Sequence, residues 1–181
     1  MSNVAENLTD KVRETAHREA AEYTQGEDRP LAGYTATMGT YALTAAALVA
    51  ASRLMGRRGP AAVPWADLAL SSLATFKLSR LIARDPVTSP LRAPFTHYDG
   101  LTGPSELHEE PREDSTWRHA IGELLTCPFC VSQWVATGFV SGLVLAPRFT
   151  RLAASTFGVV AVSDFLQFAH AAIEQATGEA K

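Results

Sequence analysis

The chain has 181 residues, a formal net charge of −3 and 46% hydrophobic residues, enough for one domain. Its basic residues form no long run, which argues against a nucleic-acid-binding protein, and its two cysteines exclude an extracellular disulfide framework. Mean hydropathy is near zero because the apolar residues are concentrated in blocks. Charges are absent from Pro30 to Ser52 and from Leu124 to Pro147. Each block exceeds the roughly 20 residues that cross a membrane.

Residues 1–30 form a charged arm ahead of the first apolar block. A weak helical stripe repeats every four residues at Val4, Leu8, Val12, Ala16 and Ala20. The arm is therefore predicted to be partly helical, either as a cytoplasmic tail or as a partner-binding helix. It has no pattern of a cleavable signal peptide, so the first apolar block is expected to remain as a membrane anchor.

Four apolar segments predict an all-α fold over residues 31–181, a small multi-pass transmembrane bundle of three or four helices. They cover residues 31–54, 65–83, 125–145 and 152–173. The second segment carries Lys77, Arg80 and Arg84 on one face. It either lies in the membrane interface or spans the membrane with its basic end reaching the lipid headgroups.

An acidic loop over residues 84–122 separates the second and third segments. Pro86, Pro90 and Pro94 predict an extended path rather than a helix. The adjacent carboxylates Glu109 and Glu110 are expected to be solvated in this loop.

Basic residues near the ends of the apolar segments predict the orientation in a bacterial cytoplasmic membrane. With four spans, the N-terminus, the acidic loop and the C-terminus lie inside. The residues expected outside are then Arg53, Arg57, Arg58, Arg148 and Arg151. With three spans only the arm and the first turn change sides, so the loop and the start of the third segment are cytoplasmic in both arrangements.

The sharpest motif is Cys127-Pro-Phe-Cys130 at the start of the third segment. This spacing suits a disulfide or two ligands of a metal. His119 is the nearest upstream histidine, and His97 and His108 also lie in the loop, so zinc is one candidate cofactor. The remaining alternative is that both cysteines pack as small apolar residues at a helix start, with Pro128 in the first turn.

Charged residues at the predicted membrane boundary suggest an ion-pair network. Its members are Lys77, Arg80, Asp85, Arg92, Glu123 and Asp164. Asp164, Gln167 and His170 are spaced along the last segment, where they could form a proton or ion relay. The favoured alternative is a structural pair between Asp164 and Lys77 or Arg80.

Gly138 and Gly142 form a GxxxG motif in the third segment. Small residues at this spacing let another helix approach closely in a membrane. That helix could belong to the same chain or to a second copy.

Several of these residues resemble DUF1360, a family of uncharacterised bacterial and phage membrane proteins that includes some described as sporulation proteins. The resemblance rests on Arg80-Leu81-Ile82 with Asp85, on Pro90-Leu91-Arg92, and on the block from Gly122 to Cys130 with Ser132 and Trp134. It implies a small helical membrane bundle and no established reaction.

The sequence thus favours a non-enzymatic membrane scaffold or assembly factor with no catalytic residues. Its expected partners are the lipid bilayer and either another protein or a second copy. A thiol protein that binds metal or works in redox through Cys127 and Cys130 is the first alternative. A small transporter subunit that uses Asp164 and His170 is the second.

Overall fold

The computed structural model describes residues 2–25, 29–57, 59, 62–103 and 106–178. Arg58, one of the residues used to predict the orientation, lies outside these ranges. The described chain is predominantly helical and contains one β-hairpin. Its elements are α1 (Ser2–Thr24), α2 (Leu31–Leu54), α3 (Trp65–Arg84), a 3-10 helix (Pro86–Thr88), α4 (Ser89–Arg92), β1 (Thr96–Gly103), β2 (Glu106–Pro111), α5 (Thr116–Thr126), α6 (Pro128–Leu145) and α7 (Pro147–Gly178).

Helix α1 accounts for nearly all of the arm that was predicted to be partly helical. Two residues in the middle of its apolar stripe, Leu8 and Val12, are both more than 60% exposed. The arm therefore gains little from packing against the rest of the chain.

Helix α3 lies at the centre of the bundle, between α6 and α7. Small side chains make this close packing feasible, because Ala74 of α3 and Ala154 of α7 are buried together with Phe139 of α6. Helices α3 and α7 run in the same direction: Asp67 pairs with Arg151 near their starts, and Lys77 pairs with Asp164 further along.

Helices α6 and α7 are joined through Ala146 alone and form a tight pair. Gly142 permits this contact, because a methyl group at that position would lie 2.6 Å from Oγ1 of Thr150. By length and apolar composition these are the two helices of the described chain that could cross a membrane. Only 11% and 17% of their most apolar windows are buried inside the protein, unlike the core helix of a soluble domain.

Helix α2 packs against α5 and α6 at the side of the bundle. Gly33 brings α2 close to α5, since a methyl group there would meet Cβ of Ala120 at 2.6 Å. Further along, the ring of Tyr41 contacts Trp134 of α6 edge-on, with the ring centroids 5.2 Å apart.

The segment predicted to be an acidic loop is largely regular structure, so both that prediction and a purely α-helical fold were wrong in this region. Strands β1 and β2 pair antiparallel, with register shifts on either side of Gly100 and Leu101. The end of β2 packs closely on α5, where a methyl group on Gly122 would meet Cβ of Pro111 at 2.9 Å. Helix α5 also takes in Leu125 and Thr126, the expected start of the third apolar segment.

The extended path predicted for the proline-rich stretch was also wrong. Pro86 and Pro90 lie in the first turns of the 3-10 helix and of α4. Proline is tolerated there because its missing N–H has no helical acceptor in a first turn. Asp85 caps the 3-10 helix by accepting a hydrogen bond from the backbone N–H of Val87.

Candidate functional site

A buried ion pair fixes the β-hairpin to the end of α3. The side chain of Arg92 is 0% exposed, and its Nε donates to Oε2 of Glu109 at 2.7 Å. Arg92 also donates to the backbone oxygens of Ile82 and Asp85 and to the hydroxyl of Thr88. Each charged group is thus paired and hydrogen-bonded, as burial of an ion pair demands. The solvated environment predicted for Glu109 was wrong, whereas its neighbour Glu110 is exposed.

A second ion pair joins the hairpin to α3 at its edge. Arg80 donates from Nε and Nη2 to the carboxylate of Glu106, with distances of 2.6–2.9 Å. This forked arrangement matches the planar guanidinium to the planar carboxylate and fixes both in direction. We call residues 85–126, which contain the 3-10 helix, α4, the hairpin and α5, the platform.

Two further ion pairs connect α3 with α7. Nζ of Lys77 lies 2.6 Å from Oδ2 of Asp164, and Nη2 of Arg151 lies 2.7 Å from Oδ2 of Asp67. The contacts of His170 go elsewhere, to Glu174 at 3.4 Å, and both of those side chains are exposed. The structure thus gives Asp164 and His170 different partners.

A cavity of about 350 Å³ lies where α3, β2 and α7 meet. Its polar wall contains both the Lys77–Asp164 and the Arg80–Glu106 pairs. Its apolar wall includes Phe76 and Phe165, whose rings stack with centroids 5.3 Å apart. Four of the charged side chains that line this cavity are thus paired within the chain, and the fifth, Asp85, accepts a hydrogen bond from the backbone N–H of Val87.

Glu123 belongs to a separate cluster at the junction of α2 and α5. The hydroxyl of Tyr34 donates to its carboxylate, and Nε2 of His119 lies 3.5 Å from Oε1. Arg29 approaches the same oxygen at 4.0 Å. The residues expected to form one network are therefore distributed over several local clusters.

The CPFC motif forms the first turn of α6, with Cys127 as the N-cap. The backbone N–H of Cys130 donates to Sγ of Cys127 at 3.2 Å, and the two sulfur atoms lie 2.6 Å apart. Both cysteines are free, and Cys130 is exposed. His119 contacts Glu123 within α5, whereas the two cysteines lie at the start of α6.

The two glycines of the GxxxG motif have different surroundings. Gly142 packs against Thr150 of the same chain, whereas a methyl group on Gly138 would meet no atom within 4 Å. The close approach at Gly142 is thus an internal contact between α6 and α7.

Another group of potential metal ligands lies on the hairpin and was not singled out from the sequence. Ligand atoms of Asp99, His108 and Glu110 all lie within 4.8 Å of one another. The signal was the alternation His97-x-Asp99 and His108-x-Glu110, which places side chains on a common face only if both segments are strands. Because the region was predicted to be a loop, this alternation did not predict a shared metal site.

Within the described residues, these features define a predominantly helical protein with two helices long and apolar enough to cross a membrane, joined to a small polar platform. Residues 70–170 match the family described as "Protein of unknown function (DUF1360)". The match covers more than half of the chain, so the protein belongs to this family, and the family resemblance in the sequence is confirmed. No curated protein and no solved structure matches the chain.

Proposed function

We propose that this is a multi-pass integral membrane protein of the bacterial cytoplasmic membrane that holds the platform at the cytoplasmic surface as a non-enzymatic binding scaffold. The membrane part of the proposal is supported by α6 and α7, which are apolar and mostly uncovered by the protein. In water, so much exposed apolar surface would be unfavourable, whereas lipid covers it without cost.

The packing of α3 supports its crossing the membrane rather than lying along the surface. The ion pairs Asp67–Arg151 and Lys77–Asp164 show that α3 packs along α7, in the same direction, from Asp67 to Lys77. A helix that packs lengthwise on a membrane-crossing helix must itself be steeply inclined. Each charged residue of α3 has a partner on α7 or the hairpin, as a charge in a membrane-crossing helix requires.

The buried Arg92–Glu109 pair is the single observation that carries the scaffold role. It holds the hairpin in a defined position at the end of α3, with Tyr98 and Leu101 exposed by 67% and 70%. A rigid hairpin with exposed apolar side chains suits recognition of a protein partner or a second copy better than a solvated loop would.

The structure also dictates how to test this function. Deleting residues 100–114 would remove Glu109 and leave the charge of Arg92 buried without its partner, so loss of binding would only report misfolding. A photo-crosslinking amino acid at the exposed positions Tyr98 and Leu101 probes the surface with the fold intact.

We expect crosslinking in cells to give one discrete protein adduct from Tyr98 and from Leu101. The matched control is Trp117, an exposed aromatic residue of α5. Equal, diffuse crosslinking from all three positions, or lipid adducts alone, would contradict a binding role of the hairpin.

The contact between the two CPFC sulfur atoms favours a second candidate function, a thiol protein that binds zinc or cycles between thiol and disulfide. The test is Cys130→Ser, with Ser132→Ala as a control in the same helix turn. Loss of the cellular function with unchanged thermal unfolding would support thiol chemistry. Equal loss of folding and function would leave the cysteines a packing role only.

A further inference from the structure

The carboxylates of strand β2 differ in how their charges are balanced. Glu109 is buried and lies on one face of the hairpin, where Arg92 neutralises it. On the opposite face, His108 and Glu110 are two residues apart on β2 and point the same way. The register places His97 opposite Glu110, so it shares that face.

An irregularity in β1 adds Asp99 to this group. The pairing jumps from Tyr98–Glu109 to Gly100–His108, which leaves Asp99 as the extra residue of a bulge. Oδ2 of Asp99 lies 3.7 Å from Nε2 of His108. The bulge thereby brings a carboxylate of one strand to an imidazole of the other.

On this face the charge of Glu106 is balanced by Arg80, but the charge of Glu110 is not balanced in the same way. The described residues give the side chain of Glu110 no hydrogen-bond or ion-pair partner. Nδ1 of His108 is buried and also without a partner among the described residues. Two carboxylates and two imidazoles on one face form a donor set suited to a divalent cation.

We propose that this face binds one divalent transition-metal ion through Asp99, His108 and Glu110, with His97 next to the site. The ligand atoms lie within 4.8 Å of one another. Two ligands at about 2.1 Å from a metal ion are roughly 3–4 Å apart, so small side-chain rotations complete the site. The metal connects β1 with β2 and supplies to Glu110 the positive charge that Arg80 and Arg92 supply to Glu106 and Glu109.

The donor set distinguishes this site from the CPFC pair. Carboxylate oxygens with imidazole nitrogen accept Mn²⁺, whereas thiolates select zinc and other soft ions. Mn²⁺ is therefore the informative probe, because it reports the hairpin without occupying the cysteines. The proposal does not depend on the scaffold role, since it concerns the metal alone.

The test is a titration of the detergent-purified full chain with Mn²⁺, followed by electron paramagnetic resonance. We expect one saturable Mn²⁺ per chain, and at least about tenfold weaker binding in His108→Ala and in Glu110→Gln. Because Glu110 is exposed, its variant reports binding even if His108→Ala folds poorly.

Two controls complete the experiment. Glu113→Gln, which removes an exposed carboxylate outside the strands, and the double variant Cys127→Ser/Cys130→Ser are expected to bind Mn²⁺ like the natural chain. Absence of saturable binding, or binding unchanged in both hairpin variants, would overturn the proposal. Loss of Mn²⁺ in the cysteine variant alone would do the same by assigning the metal to CPFC.

Discussion

The platform and helix α6 adjoin at Cys127 but differ in their content of charged groups. In the platform, the fully buried guanidinium of Arg92 is held by a carboxylate, a hydroxyl and two backbone oxygens. Helix α6 contains no charged residue and leaves most of its apolar surface uncovered. Directed polar contacts thus hold the platform, whereas the close approach at Gly142 holds α6 against α7.

The largest effect is expected from breaking the platform at Arg92. Arg92→Met leaves Glu109 buried without its partner, so the free energy of unfolding should fall by about 3–5 kcal/mol. Thermal unfolding in detergent measures this loss. The control is Arg118→Met, which removes an exposed pair with Asp114 and should change stability by less than about 1 kcal/mol. Similar effects in the two variants would contradict the account of the platform.

Glu109 and Glu110 on β2 allow a buried and an exposed carboxylate to be compared directly. Glu109→Gln weakens hydrogen bonds to a charged group and should cost about 1.5–3 kcal/mol, whereas Glu110→Gln should stay within about 0.5 kcal/mol. Chemical denaturation of the two variants side by side tests this. A larger loss for Glu110 would mean that the strand register is wrong.

For the apolar helices, the matched pair is Gly142→Ala and Gly138→Ala. The first places a methyl group 2.6 Å from Oγ1 of Thr150, and the second places it in open space. We expect Gly142→Ala to lose about 1–3 kcal/mol by overpacking and Gly138→Ala to keep the stability of the natural chain. If Gly138→Ala instead lost stability or a self-association state, the GxxxG motif would serve contacts between copies.

The smallest effect concerns Lys77 and Asp164, which join α3 to α7. A double-mutant cycle of Lys77→Gln and Asp164→Asn should give a coupling energy of about 0.5–2 kcal/mol in thermal unfolding. Additive single losses would indicate that the two residues do not act as a pair.

The long helices were accessible from the sequence because their signals are local, whereas α4 and most of α5 lie in the stretch that was predicted to be a loop. The charge-free block that begins at Pro30 lies mostly within α2, and the basic face from Lys77 to Arg84 lies in α3. The CPFC segment begins α6 because Pro128 suits a first turn and Cys127 accepts the N-terminal hydrogen bond.

The platform was not accessible because its determinants are distant along the chain. The strands lack the apolar alternation that marks a half-buried sheet, and their position depends on Arg80 and Arg92, 26 and 17 residues from their partners. Glu109 and Glu110 look equivalent in sequence, and only the strand register decides which one is buried. The ligand group on the other hairpin face was missed for the same reason.

The central claim is that α6 and α7 cross a membrane and hold the platform on its cytoplasmic side. The most direct test is labelling of single cysteines in cells with a membrane-impermeant maleimide, in a chain without Cys127 and Cys130. We predict that a cysteine at Leu101 reacts only after permeabilisation, whereas one at Arg148, in the first turn of α7, reacts in intact cells. Labelling of both positions on the same side would contradict it.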